Sequence, residues 1–238
     1  DKLSADEAQQ LAEWIYSKVS PAPVWGEAEI RNSQVVDAQA AAQPARPGLG
    51  LKGADPLNLF IVVETGDHHV SILDGDRLER VHRFPSRYAL HGGPKFSPDG
   101  RFVYFASRDG WITKYDLYNL VVVAEIRAGL NTRNAAVSGD GKWVMVGNYL
   151  PHSLVLLDAK DLSLVKVIPT LDAAGARTSR VSAVYDAAPR KSFIAALKDV
   201  PEVWEISYDP DAEPVAEGLV HDYQYKEGHF TPGMFTPR

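Results

Sequence analysis

His91 is the residue whose type and setting say most about chemistry. It lies in Arg87-Tyr88-Ala89-Leu90-His91-Gly92-Gly93-Pro94, directly before a β-type run, and the two glycines beside it let backbone or a flat ligand approach closely. A neutral imidazole in that place can ligate a haem iron, and it can equally be a hydrogen-bonded turn histidine. His221 and His229 sit among aromatics in Val220-His221-Asp222-Tyr223-Gln224-Tyr225-Lys226-Glu227-Gly228-His229-Phe230, with Asp222 adjacent. Such a cluster suits acid–base work, or else a polar loop whose aromatics pack on a strand edge. His68-His69 reads as a turn, His82 as a solvent-facing strand position and His152 as a loop residue. None of these has metal-site spacing that stands alone.

Basic residues recur near these loops: Arg83, Arg87, Arg108, Arg133, Arg177 and Arg180. They suit an anionic ligand with several carboxylates, because guanidinium binds carboxylate through two parallel hydrogen bonds, although most surface arginines do nothing of the kind. Tyr149, in Gly147-Asn148-Tyr149-Leu150-Pro151, adds a hydrogen bond or a ring edge.

The elements that position these residues are repeated β units. Phe96-Ser97-Pro98-Asp99-Gly100-Arg101-Phe102 returns as Val137-Ser138-Gly139-Asp140-Gly141-Lys142-Trp143, 41 residues later. Asp-Gly supplies the left-handed turn that a tight hairpin needs. A second marker keeps register: Ile72-Leu73-Asp74, Lys114-Tyr115-Asp116 and Leu156-Leu157-Asp158 each end a β-type run, with their aspartates 42 and 42 residues apart. A period near 40–45 with about four short strands per unit predicts β-propeller blades, and no 3.6-residue periodicity competes with it. Weaker matches continue at Ser192–Leu197 and Val203–Ile206. Within that frame Arg133, in Gly129-Leu130-Asn131-Thr132-Arg133-Asn134, occupies the blade-start loop one repeat after His91.

The first fifth of the chain differs. Ser4 with Glu7 three residues on forms a capping box, and Leu3, Leu11, Trp14 and Ile15 fall near one face of a helix expected from about Ala5 to Val19, stopped by Pro21 and Pro23. Residues 21–56, with the Ala/Gln/Pro/Gly stretch from Ala38 to Gly53, read as a linker. The expected fold class is therefore all-β, with a propeller portion from 57 to 238 of about four blades and a short helix before it.

Composition sets further bounds. A net charge of −6 gives no electrostatic footprint for a nucleic acid backbone, and no stretch approaches the length of a membrane span. With no cysteine, these residues hold no thiolate metal site, disulfide or Cys-x-x-Cys-His haem attachment. The opening Asp1-Lys2-Leu3-Ser4 has neither an initiator Met nor a leader pattern, so the chain is expected to be a piece of a longer one. A partial ring leaves blade faces and edges uncovered, which points the same way.

The segments Arg87-Tyr88-Ala89-Leu90-His91, Ser107-Arg108-Asp109-Gly110, Tyr115-Asp116-Leu117, Gly129 to Arg133 and Gly147-Asn148-Tyr149 resemble the haem d1-binding propeller of cytochrome cd1-type proteins, from about Leu57 to Arg238. The helix from Leu3 to Val19 resembles the last helix of a preceding c-type cytochrome domain. Glu64-Thr65-Gly66-Asp67-His68-His69, Tyr88 to Pro94 and Lys226-Glu227-Gly228-His229-Phe230 are more similar to the branch that dehydrogenates dihydro-haem d1 than to nitrite reductase. The resemblance implies an eight-bladed ring in a periplasmic oxidoreductase, with haem d1 as substrate or cofactor and haem c in a segment before Asp1. It implies His91 as the iron ligand, with Arg87, Arg108, Arg133 and Tyr149 binding the tetrapyrrole. It also implies His229 or His221 as the base that helps turn a propionate into an acrylate, with Tyr225 assisting. Nitrite reductase or other haem d1 assembly proteins are the implied protein partners.

Two other classes compete. A nitrite reductase should present distal histidines, and Lys198-Asp199-Val200-Pro201-Glu202-Val203 holds none. A non-catalytic haem d1 carrier or an ordinary protein-binding propeller is the third reading, and the N-terminal helix argues against the carrier.

Overall fold

The structure is a computed structural model that describes residues 3–17, 23–46 and 50–212, together with the backbone of 216–217 and 236–237. The N-terminal part carries α1 (Ala5–Tyr16), α2 (Glu27–Asn32), β1 (Val35–Val36) and α3 (Ala38–Ala41). Four antiparallel sheets follow. The first is β2 (Leu59–Glu64), β3 (His69–Asp74) and β4 (Arg80–Pro85). The second is β5 (Lys95–Phe96), β6 (Phe102–Ala106), β7 (Trp111–Asp116) and β8 (Val121–Arg127). The third is β9 (Asn131–Val137), β10 (Trp143–Leu150), β11 (Ser153–Asp158) and β12 (Leu164–Pro169). The fourth is β13 (Val181–Ala187), β14 (Ser192–Leu197) and β15 (Val203–Ser207). Each is an up-and-down meander in chain order, as the repeat predicts.

The sheets stack face to face, and the two-residue period of a strand explains how one strand serves two interfaces. In β6, Val103 and Phe105 join Val70, Ile72 and Phe84 of the first sheet, whereas Tyr104 and Ala106 join Val144, Val146, Val155 and Leu157 of the third. In β10, Met145 turns the other way, into a core with Val184, Phe193 and Ala195 of the fourth. Middle strands buried on both sides are the reason the repeats read as nearly continuous apolar runs.

Both sequence markers are turn devices. Ser97 and Ser138 each hold the aspartate two residues on, and those aspartates cap the backbone of Arg101 and Lys142, with Gly100 and Gly141 at φ +70° and +71°. Asp74 and Asp116 accept from the backbone N–H groups two and three residues further on, and Asp158 accepts from Lys160. A third marker has the same spacing: Leu78, Leu120 and Leu162 adopt positive φ at +58°, +56° and +63°. Leucine does not advertise that conformation, so residue type carries no signal for it.

Two N-terminal expectations are corrected. Helix α1 keeps its capping box but ends at Tyr16, with Ser17 as C-cap, and buries none of its residues. The described part of the supposed linker, residues 23–46 and 50–56, packs as a strap on the blades. Val35 and Val36 pair with Glu125 and Ala124, adding a fifth strand to the edge of the second sheet. Ile30 is 1% exposed in the core between the second and third sheets. Trp25 Nε1 donates to the Arg127 carbonyl, Arg31 to that of Leu164 and Gln34 to that of Asp161. The open edge of β8 accepts a strand from any segment that can reach it, and Ile30 and Trp25 on one side, with Leu51 and Ala54 on the other, anchor the segment. No described helix is long and apolar enough to cross a membrane.

Candidate functional site

One position recurs at the same end of three neighbouring sheets. Leu90 bridges Ser107, Thr132 pairs with Asn148, and Val181 pairs with Leu197. The residue after the second member of each pair is Arg108, Tyr149 or Lys198; the residue after the first is His91, Arg133 or Ser182. The fold thus sets His91, Arg108, Arg133, Tyr149 and Lys198 around one mouth, and Arg180 joins them from the residue before Val181.

The contacts join these residues across blades. The Arg133 carbonyl oxygen lies 3.1 Å from His91 Nδ1, and Arg133 Nη1 lies 2.7 Å from the same nitrogen and 3.2 Å from Nε2. The His91 ring is otherwise exposed, and its two glycine neighbours both take positive φ. A Cβ on Gly92 would come within 2.6 Å of Asn134 Cβ, so this glycine is required where the loop meets the next sheet.

Tyr149 is the hub of the next group. Lys198 Nζ donates to its hydroxyl at 3.1 Å, and the cationic ends of Lys198, Arg180 and Arg108 lie 5.0, 5.4 and 5.6 Å from its ring centre. The hydrogen bond from Lys198 holds the phenol below its ordinary range; burial opposes it, and the charges of Lys198, Arg133 and Arg108 add to the lowering. Arg180 makes a two-oxygen pair with Asp199, whose carboxyl is held far below the usual carboxylate range by that side chain and by the Arg180 backbone N–H. His152 Nδ1 meets Thr178 Oγ1 at 2.9 Å, and a charge on His152 would further favour the Asp199 carboxylate. Among the described residues, Arg108, Arg133 and Lys198 have no carboxylate within ion-pair reach, so the mouth carries excess positive charge. No three His, Asp or Glu side chains of the described residues converge on a bare metal ion.

Arg87 does not join this group. Its guanidinium pairs with both oxygens of Glu125, at 3.0 and 2.6 Å, and stacks 3.8 Å from the Trp111 ring centre, within the second sheet. His82, read as solvent-facing, is partly buried and stacks with Phe84 and Tyr115, and desolvation lowers its pKa. His221, Tyr225 and His229 lie outside the described residues. Lys198 escaped the sequence reading because the extra residues around 171–178 lengthen the last repeat, so the period that links Arg108 to Tyr149 misses it.

The comparisons with known proteins bear on the same region. A family model described as "Cytochrome D1 heme domain" matches residues 54–232. A "Dihydro-heme d1 dehydrogenase" from Pseudomonas aeruginosa is 66% identical over 209 residues, covering 88% of this chain and 41% of that protein. The solved structure "Dihydro-heme d1 dehydrogenase NirN in complex with DHE" superposes with a TM-score of 0.80 at 64% identity, covering 88% of this chain and 44% of the other. The β-propeller domain of Cps50 (Swd1) from Myceliophteria thermophila reaches a TM-score of 0.51 at 13% identity over 63% of this chain and 51% of that one, a likeness of fold alone. The chain therefore spans less than half the length of the dehydrogenases it matches. Its stacked four-sheet architecture is that of a β-propeller, and the chain belongs to the cytochrome D1 heme domain family.

Proposed function

We propose that the protein carrying this chain binds dihydro-haem d1 at the His91 mouth and dehydrogenates it, converting a propionate side chain into an acrylate. The observation that carries this reading is the meeting of one exposed imidazole with a cluster of cations around Tyr149, three of which have no carboxylate partner among the described residues, in a chain 66% identical to a dihydro-heme d1 dehydrogenase.

The residues present fit such a ligand. Nδ1–H of His91 can donate to the Arg133 carbonyl, which makes Nε2 the ligating nitrogen once the Arg133 guanidinium, 3.2 Å from it here, turns to a ligand carboxylate. Arg108 and Arg133 supply charge-assisted donors for carboxylates, and Lys198 is held by the Tyr149 hydroxyl. Arg87, paired with Glu125 and stacked on Trp111, braces the second blade in this arrangement. When bound, the tetrapyrrole brings both the iron and the side chain that loses two hydrogens. His229 or His221 is the proposed base, with Tyr225 assisting. Electrons leave to a c-type haem, α1 being the end of the domain that holds it. A periplasmic location and partnership with nitrite reductase or other haem d1 assembly proteins belong to the same reading.

An absorption titration of the full-length protein with dihydro-haem d1 tests this directly. Binding followed by conversion to haem d1 is the expected result. Binding without conversion would point to a carrier or a nitrite reductase, separated by a nitrite assay, and no binding would overturn the site.

A further inference from the structure

Losing two hydrogens from a saturated side chain releases two protons and two electrons, so a site that does this needs more than one proton acceptor. The inference below rests on the dehydrogenase reading and adds a residue to it. Within the mouth, Tyr149 is where backbone geometry and electrostatics converge. In β10, Asn148 pairs with Thr132 and Leu150 with Asn131, so Tyr149 is the extra residue of a β-bulge. Bulges re-aim a side chain beside a functional site at the expense of one ladder pair. The bulge is locked from below by Asn148, fully buried, whose amide accepts from Thr132 Oγ1 at 2.7 Å and donates to the Ala128 carbonyl at 2.9 Å.

At the hydroxyl, Lys198 Nζ donates at 3.1 Å. A cation donating to that oxygen stabilises phenolate over phenol, and Arg108, Arg133 and Arg180 reinforce it. The carboxylate facing the group, Asp199, is occupied by Arg180, and His152 is turned to Thr178. Nothing in the structural role of a propeller blade calls for four cations around one phenol, since such crowding costs stability.

We propose that Tyr149 is a proton acceptor of this site and that Lys198 is its positioning residue. One C–H bond of the propionate chain breaks with its proton passing to the Tyr149 phenolate oxygen, and the second C–H proton passes to another base. Of the two electron pairs released, one becomes the new C=C π bond. The other leaves as single electrons to two equivalents of a one-electron acceptor such as ferric c-type haem.

The test uses the full-length protein and the variants Tyr149→Phe and Lys198→Met. Tyr149→Phe should bind dihydro-haem d1 with an unchanged absorption spectrum and lose turnover by about 10²–10⁴-fold. Lys198→Met should lose less and move the acid limb of the rate–pH profile to higher pH. In tetrapyrrole-free protein, the near-ultraviolet tyrosinate titration should show one tyrosine ionising ahead of the rest; that phase should vanish in Tyr149→Phe and move to higher pH in Lys198→Met. Wild-type turnover in Tyr149→Phe would overturn the proposal and leave the dehydrogenase reading standing, as would the absence of an early tyrosinate phase. A wild type that binds without converting would overturn the dehydrogenase reading first, and this proposal with it.

Discussion

Arg133 and His91, from successive blade-start positions, meet across the imidazole: the Arg133 carbonyl oxygen and Nη1 lie 3.1 and 2.7 Å from His91 Nδ1, and Nη1 also lies 3.2 Å from Nε2. The two contacts need opposite tautomers, since a protonated Nδ1 donates to the carbonyl and a bare Nδ1 accepts from the guanidinium. Only the first leaves the Nε2 lone pair unprotonated, with the ring orientation fixed by backbone, and iron ligation then displaces the Arg133 guanidinium from Nε2.

The backbone contact survives truncation of the side chain, which separates two roles. Arg133→Ala should weaken tetrapyrrole binding by about tenfold through loss of a charge-assisted donor while keeping the axial-ligand spectrum. His91→Ala should change that spectrum. An absorption titration of both variants checks this, and an unaltered spectrum in His91→Ala would remove the iron-ligand assignment.

If the strap were a loose linker, its residues would contribute nothing to stability. Ile30, 1% exposed between the second and third sheets, should cost about 2–5 kcal/mol when truncated to Ala. Denaturant unfolding of Ile30→Ala measures this, and a change below about 0.5 kcal/mol would return the segment to linker status.

Lys114 is buried between the same two sheets, donating to the carbonyls of Ala159 and Lys160 at 2.7 and 2.9 Å and lying 3.9 Å from the Phe102 ring centre. Burial first, then the charge of Arg101, lowers its pKa from 10.5 to about 8, against the pull of Asp116, Asp158 and Asp161. Between these values the unfolded chain binds more proton than the folded one, so this residue makes stability rise with pH from about 8 to 10.5. The melting temperature of wild type should therefore gain on that of Lys114→Met across that window, and a constant difference would contradict the shift.

Two glycines with positive φ should behave differently. At Gly110, φ +98°, an added Cβ would lie 1.8 Å from the Gly129 carbonyl oxygen, whereas at Gly100, φ +70°, it would meet nothing within 4 Å. Gly100→Ala should cost about 1–2 kcal/mol, the backbone penalty alone. Gly110→Ala should cost about 3 kcal/mol or more because backbone cannot move aside. Thermal melts of the pair measure the difference.

Legibility followed physical range. The Asp-Gly turns and strand-end aspartates were readable because a hairpin turn demands particular residues within five positions of one another, whatever surrounds it. His91 and Arg133 were readable as candidates because both sit at one phase of that local period. The strap was not: Val35 and Val36 form a strand only because the edge of β8 is open to them, and nothing in their neighbourhood of alanines and glutamines encodes that edge.

Local residue patterning is enough to set the repeated meander, its turns, and a short set of residues at one blade end. These depend on side-chain period and on the few residues that tolerate tight turns. Only the tertiary structure decided which of those residues act together. Arg87 went to Glu125 and Trp111, while Lys198, outside the period, came against Tyr149. Stacking one sheet on the next brings strand ends from distant stretches of chain within a few ångströms of each other, and charge pairing at that distance depends on position in space rather than on place in the repeat.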